Sequence, residues 1–226
     1  MDGALEKNLE RIQGNIAKAL PKGCKPPRIV AVSKHQPIEK IKDLYELGIH
    51  DFAENYWQEA AEKIETLKGL DITWHFIGSL QRKKMKDIVG TVDWIHSMDR
   101  IEVAEKISEV AQEKGLRQKV LLQVNVAGEL SKMGIPPKEV MIFLHQVHRL
   151  PGLEIRGLMV FPPLCQNDEE SLKWFEEGRQ LFELAHKHFG PNFSELSMGT
   201  SHDYALATQK GATMLRIGES LMGVRI

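Results

Sequence analysis

The feature that most constrains this chain is a repeated alternation. Eight short apolar runs are separated by stretches whose apolar residues recur at helical spacing. The runs are Ile29 to Ser33, Asp51 to Glu54, Thr73 to Ile77, Trp94 to Ser97, Val120 to Asn125, Ile155 to Val160, Glu195 to Met198 and Met214 to Ile217. Between them, Ile38, Ile41, Leu44 and Tyr45 mark one helix face, Trp57, Ala60, Ile64 and Leu67 a second, and Val103, Ile107 and Val110 a third. Val140, Phe143, Leu144 and Val147 mark a fourth, and Leu172, Phe175, Phe182 and Phe189 a fifth. Shorter helices fit Lys83 to Val89 and Asp203 to Gln209. Strands that are apolar nearly throughout are buried on both faces, which implies a parallel sheet covered by helices. Eight such units in 226 residues predict an α/β fold, one closed (β/α)8 barrel over 1–226, rather than a doubly wound open sheet. The open sheet lacks its Gly-rich turn, because Ser33-Lys34-His35-Gln36-Pro37 follows the first strand. Ahead of that strand, Leu5, Leu9, Ile12, Ile16 and Leu20 predict an extra N-terminal helix, stopped by Pro21.

Composition narrows the class. An apolar fraction of 42% and a charged fraction of 27% are those of an ordinary soluble domain. A net charge of -1 supplies no field for nucleic acid or an anionic membrane, and Arg82-Lys83-Lys84 reads as a solvated helix face. The two cysteines, Cys24 and Cys165, lie far apart without metal or redox spacing. With the polar start Met1-Asp2-Gly3 and no bilayer-length apolar run, the expected location is cytoplasmic.

In a barrel, ligands meet residues at the C-terminal strand ends and in the loops that follow. That rule selects Lys34; Glu54, Asn55 and Tyr56; His75 and Gly78; His96; and Asn125. It also selects Ser197-Met198-Gly199-Thr200-Ser201-His202-Asp203 and Arg216-Ile217-Gly218-Glu219-Ser220. The last two segments read as a phosphate cradle. Gly199 and Gly218 let backbone N–H groups approach an anion, Thr200 and Ser201 offer hydroxyls, and a helix from Asp203 aims its N-terminus there. The alternative for Thr200 and Ser201 is a plain helix N-cap. Lys34 ends an apolar strand, where desolvation favours the neutral amine that attacks a carbonyl; a lysine snorkelling to the rim is the alternative. For Arg216 the alternative is an ordinary rim ion pair. His75 and His96 read as core or supporting histidines, Met198 as core, Asn125 as structural or functional alike, and no metal site is expected. Phosphate cradle, Schiff-base lysine and arginine at one mouth together fit pyridoxal 5'-phosphate (PLP).

The same motifs carry a resemblance. Ala31-Val32-Ser33-Lys34, Glu54-Asn55-Tyr56, His75-Phe76-Ile77-Gly78, His96-Ser97-Met98-Asp99, Gln123-Val124-Asn125, Gly157-Leu158-Met159, Leu196 to Asp203 and Arg216-Ile217-Gly218 stand in one order from about Leu5 to the C-terminus. The sequence resembles the PLP homeostasis proteins of the YggS and PROSC type. That resemblance implies a barrel like the alanine racemase N-terminal domain without its β-domain. It implies PLP on Lys34, Arg216 facing the pyridine nitrogen, Ser201 and Gly218 on the phosphate with Thr200 assisting, and Asn55 beside the cofactor. It also implies a monomer without established turnover, linked to vitamin B6 balance, with apo PLP-dependent enzymes as recipients of the cofactor. Four positions depart from the usual pattern: Ala53 for Gly, His35 for Thr, Ser79 for Pro, and Glu219 for Thr. A carboxylate facing phosphate repels it, so Glu219 is expected to point away.

Arg216 can only donate to the ring nitrogen, because a guanidinium has no acceptor and stays charged. An unprotonated ring is a poor electron sink, which disfavours transamination. Racemisation further needs a second acid–base group on the opposite face, and Tyr56 and Tyr204 are the tyrosines near the mouth. A PLP carrier or regulator is therefore the leading expectation. A small racemase is the alternative, and a cofactor-free Schiff-base aldolase a weaker third.

Overall fold

The computed structural model describes residues 3–128, 133–163, 165 and 167–224; Met1 and Asp2 lie outside the described residues. Eight strands are present: β1 (Arg28–Val32), β2 (Asp51–Glu54), β3 (Thr73–Phe76), β4 (Trp94–Met98), β5 (Gln118–Val124), β6 (Leu153–Val160), β7 (Glu195–Ser197) and β8 (Met214–Ile217). They pair in chain order, all parallel, and β8 closes on β1 with Val30 opposite Arg216. All eight expected strands occur, with ends displaced by at most two residues. Around them lie α1 (Gly3–Ala19), α2 (Ile38–Glu46), α3 (Trp57–Thr66), α4 (Met85–Ile88) and α5 (Ile101–Glu113), then α6 (Val140–Val147), α7 (Asp168–Phe189), α8 (Tyr204–Gln209) and α9 (Glu219–Met222). Helix α9 is the element that periodicity did not predict, because four residues are too few to display a period.

Strand alternation divides the core in two. Outward residues such as Ala31, Phe52, Val120 and Leu158 meet the helix layer. Inward residues Val30, Val32, Ala53, Trp94, Leu121, Met159 and Met214 fill the barrel. Mixed among them are four buried polar side chains, His75, His96, Ser197 and Arg216. At the N-terminal end, Arg28 and Lys119 each lie 5.4 Å from the centre of the Trp94 ring and close the barrel floor.

A bulge sets which β6 residues reach the mouth. The β5–β6 register shifts between Val120 and Leu121, which pair with Ile155 and Gly157. Gly157 has φ 156°, and a Cβ there would lie 1.7 Å from the Glu195 carbonyl oxygen, so only glycine fits. Beyond it Met159 pairs with Gln123, and both face the mouth.

Helix α1 braces the last two units. Leu5, Leu9, Ile12 and Ile16 are buried on one stripe, each burial worth about 1.5–3 kcal/mol. Its polar edge is tied as well: Asn8 donates to the Leu221 carbonyl at 3.1 Å, Arg11 to that of Ser220 at 2.9 Å, and Asn15 to the Tyr204 hydroxyl at 2.8 Å. Ile12→Ala should therefore cost about 2–5 kcal/mol by urea unfolding. The exposed Glu10→Ala should stay within about 0.5 kcal/mol. Equal effects would show that α1 packs differently.

Candidate functional site

The six residues singled out from the sequence, Lys34, Asn55, Thr200, Ser201, Arg216 and Gly218, line one cavity of about 390 Å³ at the C-terminal mouth. That volume suits a small ligand. Val32, Ile77, Met159 and Phe161 supply apolar wall, and Gln123, His202 and Glu219 complete it. Glu219 is exposed and also lines the adjoining surface groove with Ser220, so it sits at the rim. Asn125 and Met198 are buried outside this wall, and Tyr56 lines a neighbouring pocket.

Lys34 is placed by the turn after β1. His35 takes a left-handed φ of 57°, uncommon for a non-glycine, and its N–H donates to Glu59 Oε1 at 2.6 Å. Beneath, Lys63 Nζ donates to the Ser33 carbonyl at 2.6 Å, Glu54 Oε1 at 2.8 Å and Glu59 Oε1 at 2.6 Å. Ser33 Oγ donates to the same Glu54 oxygen at 2.7 Å. Burial pushes the Glu54 carboxyl above its ordinary range against the pull of Lys63, and its Oε2 is buried without a hydrogen bond. The sequence reading missed Lys63. Its signal was a lysine three residues after Ala60 and four before Leu67, on the apolar stripe of α3.

The loop after β7 turns at Gly199, φ 88°, where a Cβ would lie 2.5 Å from that of Ala207. Asp203 Oδ1 accepts the Thr200 N–H at 2.6 Å and the Thr200 hydroxyl at 3.0 Å. Thr200 thus lines the cavity with its hydrogens already committed. Ser201 Oγ accepts the Ser220 N–H at 3.2 Å, which orients the hydroxyl and leaves its own hydrogen available. Among the described residues, the N–H groups of Ser201 and Gly218 enter no backbone hydrogen bond.

Arg216 rises from β8 inside the barrel. Its Nη1 donates to Ser197 Oγ at 2.7 Å and its Nη2 to the Val160 carbonyl at 3.0 Å, and the Phe161 ring lies 5.7 Å away. Burial pulls the guanidinium down to about 10, which still leaves it charged at neutral pH. Among the described residues no carboxylate lies within ion-pair distance of it. Below Ser197 a polar chain continues. His96 Nδ1 is 3.3 Å from Ser197 Oγ, His96 Nε2 is 2.9 Å from His75 Nδ1, and His75 Nε2 is 2.9 Å from Asp51 Oδ1. Burial pushes His75 below the usual histidine range against the pull of Asp51, and His96 well below it. Both histidines therefore lie in the barrel interior beneath the cavity, as supporting rather than contacting groups. Among the described residues no cluster could hold a metal ion.

Residues 4–226 match the alanine racemase N-terminal domain family. The chain belongs to that family. Within it, the PLP homeostasis protein of Aquifex aeolicus is 38% identical over 221 residues, covering 98% of this chain and 96% of the relative. That of Pasteurella multocida is 37% identical over 227 residues, covering 98% and 97%. The structure of PipY from Synechococcus elongatus PCC7942, solved with PLP bound, superposes with a TM-score of 0.85 at 36% identity, covering 97% of this chain and 100% of PipY. Alanine racemase of Clostridium difficile shares the fold, with a TM-score of 0.77 at 17% identity over 56% of its own length. Among the described residues no helix is long and apolar enough to cross a membrane.

The buried clamp under Lys34 gives a pH-dependent prediction. Lys63→Met leaves Glu54 and Glu59 without their cation and should cost about 3–5 kcal/mol near neutral pH. Since the folded-state pKa of Glu54 lies above its unfolded value, the native state binds the extra proton and gains stability as pH falls. Without Lys63, whose charge and hydrogen bond lower it in the wild type, Glu54 is raised further. The variant therefore gains more on acidification, and its deficit should shrink from about pH 7 to pH 5, read from urea midpoints. A deficit that widened on acidification would refute this account.

Proposed function

We propose that the chain binds PLP as a Schiff base on Lys34 and serves vitamin B6 homeostasis as a cytoplasmic monomer. It takes up the cofactor and releases it to apo enzymes rather than turning over a substrate. The observation that carries this reading is Arg216, a buried guanidinium on the cavity wall with no carboxylate in ion-pair range among the described residues. Such a group calls for an acceptor from a ligand.

PLP, when bound, supplies an aldehyde that condenses reversibly with amines and a ring that withdraws electrons. Lys34 offers the amine. Arg216 donates toward the ring nitrogen and, lacking any acceptor, holds it unprotonated. The Ser201 hydroxyl with the Ser201 and Gly218 N–H groups receives phosphate oxygens. The buried Asn55 Oδ1, without a hydrogen bond, leaves the amide capacity for the ligand. Met159 and Phe161 supply an apolar face on one side. These features fit the cofactor that PipY holds.

Holding is favoured over turnover by the placement of the tyrosines. Tyr204 is buried away from the cavity wall, its oxygen accepting from Asn15, and Tyr56 is exposed outside this cavity. Neither reaches the ligand face where a second acid–base group belongs.

Borohydride reduction of the PLP-loaded protein followed by peptide mapping should label Lys34. Lys34→Ala should lose that label while its stability stays within about 0.5 kcal/mol. Chiral analysis after incubation with L-amino acids should find no D-isomer. Lys34-dependent racemisation would overthrow the carrier reading, and label on another lysine would overthrow the site.

A further inference from the structure

Arg216 and Asp51 stand at opposite ends of one hydrogen-bonded chain that runs down the barrel. The links, Ser197, His96 and His75, come from β7, β4 and β3, and Asp51 opens β2 at the N-terminal face. Each link is short enough to be a hydrogen bond, and the three middle groups are buried. Asp51 is partly exposed, sits 3.6 Å from Arg28, and lines a cavity of about 520 Å³ on that face.

The two ends fix the direction of every hydrogen between them. Arg216 has donors and no acceptor; the Asp51 carboxylate has acceptors and no donor. A hydroxyl and two neutral imidazoles can each pass on one donation. His75 Nε2 must donate to Asp51, so its Nδ1 accepts from His96 Nε2–H. His96 Nδ1 then accepts from Ser197, whose oxygen takes the donation from Arg216. Reversing any link sets two lone pairs or two hydrogens face to face in a medium without water, at high cost. Both imidazoles are therefore Nε2–H tautomers. No proton can climb from Asp51 to the cavity without a chain reversal that Arg216 cannot accept.

Resting on the reading of the cavity as a PLP site, we propose that Asp51 is a positioning residue. Acting through His75, His96 and Ser197, it fixes the direction of each hydrogen bond in the chain and so holds Arg216, itself donor-only, in place for the ring nitrogen. No carboxylate in ion-pair range among the described residues ties up the guanidinium, and Asp203 acts on it from farther off. A direct ion pair would occupy the N–H groups the ligand needs. The charged and titratable groups around the two imidazoles are Arg28 from β1, Asp51 from β2, Asp93 preceding β4, and Arg216 from β8.

The test uses the full chain and three readouts. First, 15N NMR of the imidazoles without PLP should show His75 and His96 as single Nε2–H tautomers; an Nδ1–H form of either overturns the chain. Second, 15N-labelled PLP bound to the wild type should show an unprotonated ring nitrogen. Third, Asp51→Asn, whose amide can donate as well as accept, should give mixed tautomers and change the ring-nitrogen shift as the Arg216 contact loosens. It should also weaken PLP binding by about fivefold to thirtyfold. Asp51→Glu should restore the wild-type tautomers and shift at least in part. Ser197→Ala, which breaks the chain at the Arg216 end, should reproduce the PLP effects if Asp51→Asn does not fold. Wild-type tautomers with PLP affinity and ring shift unchanged in both variants would overturn the positioning role and leave the PLP reading standing. A wild type that binds no PLP would overturn both.

Discussion

A guanidinium kept from water inside a β-barrel is costly unless its N–H groups are met, and this fold is arranged around meeting those of Arg216 with neutral partners. Ser197 Oγ and the Val160 carbonyl accept two of its hydrogens, from β7 and β6. Those strands hold their places through a bulge at Gly157, where Cβ would strike the Glu195 carbonyl. Asp203 acts on this charge from beyond ion-pair distance and burial outweighs its pull, so the positive charge persists at the cavity. The remaining N–H capacity and the field of the guanidinium are left for whatever fills the mouth.

The other cavity groups are also fixed from behind. Lys63 ties the Ser33 carbonyl to Glu54 and Glu59, and Glu59 in turn holds the His35 N–H that follows Lys34. Asp203 closes the turn that presents Ser201. Helix α1 grips the carbonyls of Ser220 and Leu221 from outside. Each support lies one layer away from the ligand space. Apart from Thr200, whose hydrogens go to Asp203, the wall is preorganised from behind, which is what precise recognition requires.

The eight strands and all six wall residues named from the sequence were legible because one rule covers them: parallel strands in a barrel deliver their C-terminal ends to a common mouth. Glu219, expected to point away, is exposed but lines the cavity at its rim. What stayed hidden depends on pairing at a distance. Asp51 reads as the first residue of a strand, and nothing within β2 says that its carboxylate meets a histidine 24 positions on. Met159 and Phe161 lie beyond the bulge at Gly157 that resets the β6 register, and Gln123 is brought beside Met159 by the β5–β6 pairing. Lys63 was marked by helical spacing, but a lysine on an apolar stripe reads as snorkelling until the carboxylates beneath it are known. Two of the departures from the family pattern, Ala53 and His35, are absorbed locally. Ala53 is a small inward residue of the barrel core, and His35 tolerates its left-handed turn because Glu59 anchors its N–H.

On the proposed reading, the phosphate end of the cavity differs in kind from the ring end. Neither 199–203 nor 218–220 contains a lysine or arginine, while both contain a carboxylate, Asp203 and Glu219. Asp203 consumes the donors of Thr200, and Glu219 adds negative charge at the rim. An anion there is held by hydroxyl and backbone hydrogens against, rather than with, the nearby side-chain charges. On the proposed reading, retention then falls to the reversible bond at Lys34 and to the donor at Arg216, and both can be given up without disturbing a charged cradle. A site whose task is to surrender an intact cofactor gains from that division. A cationic phosphate grip would slow the last step of release.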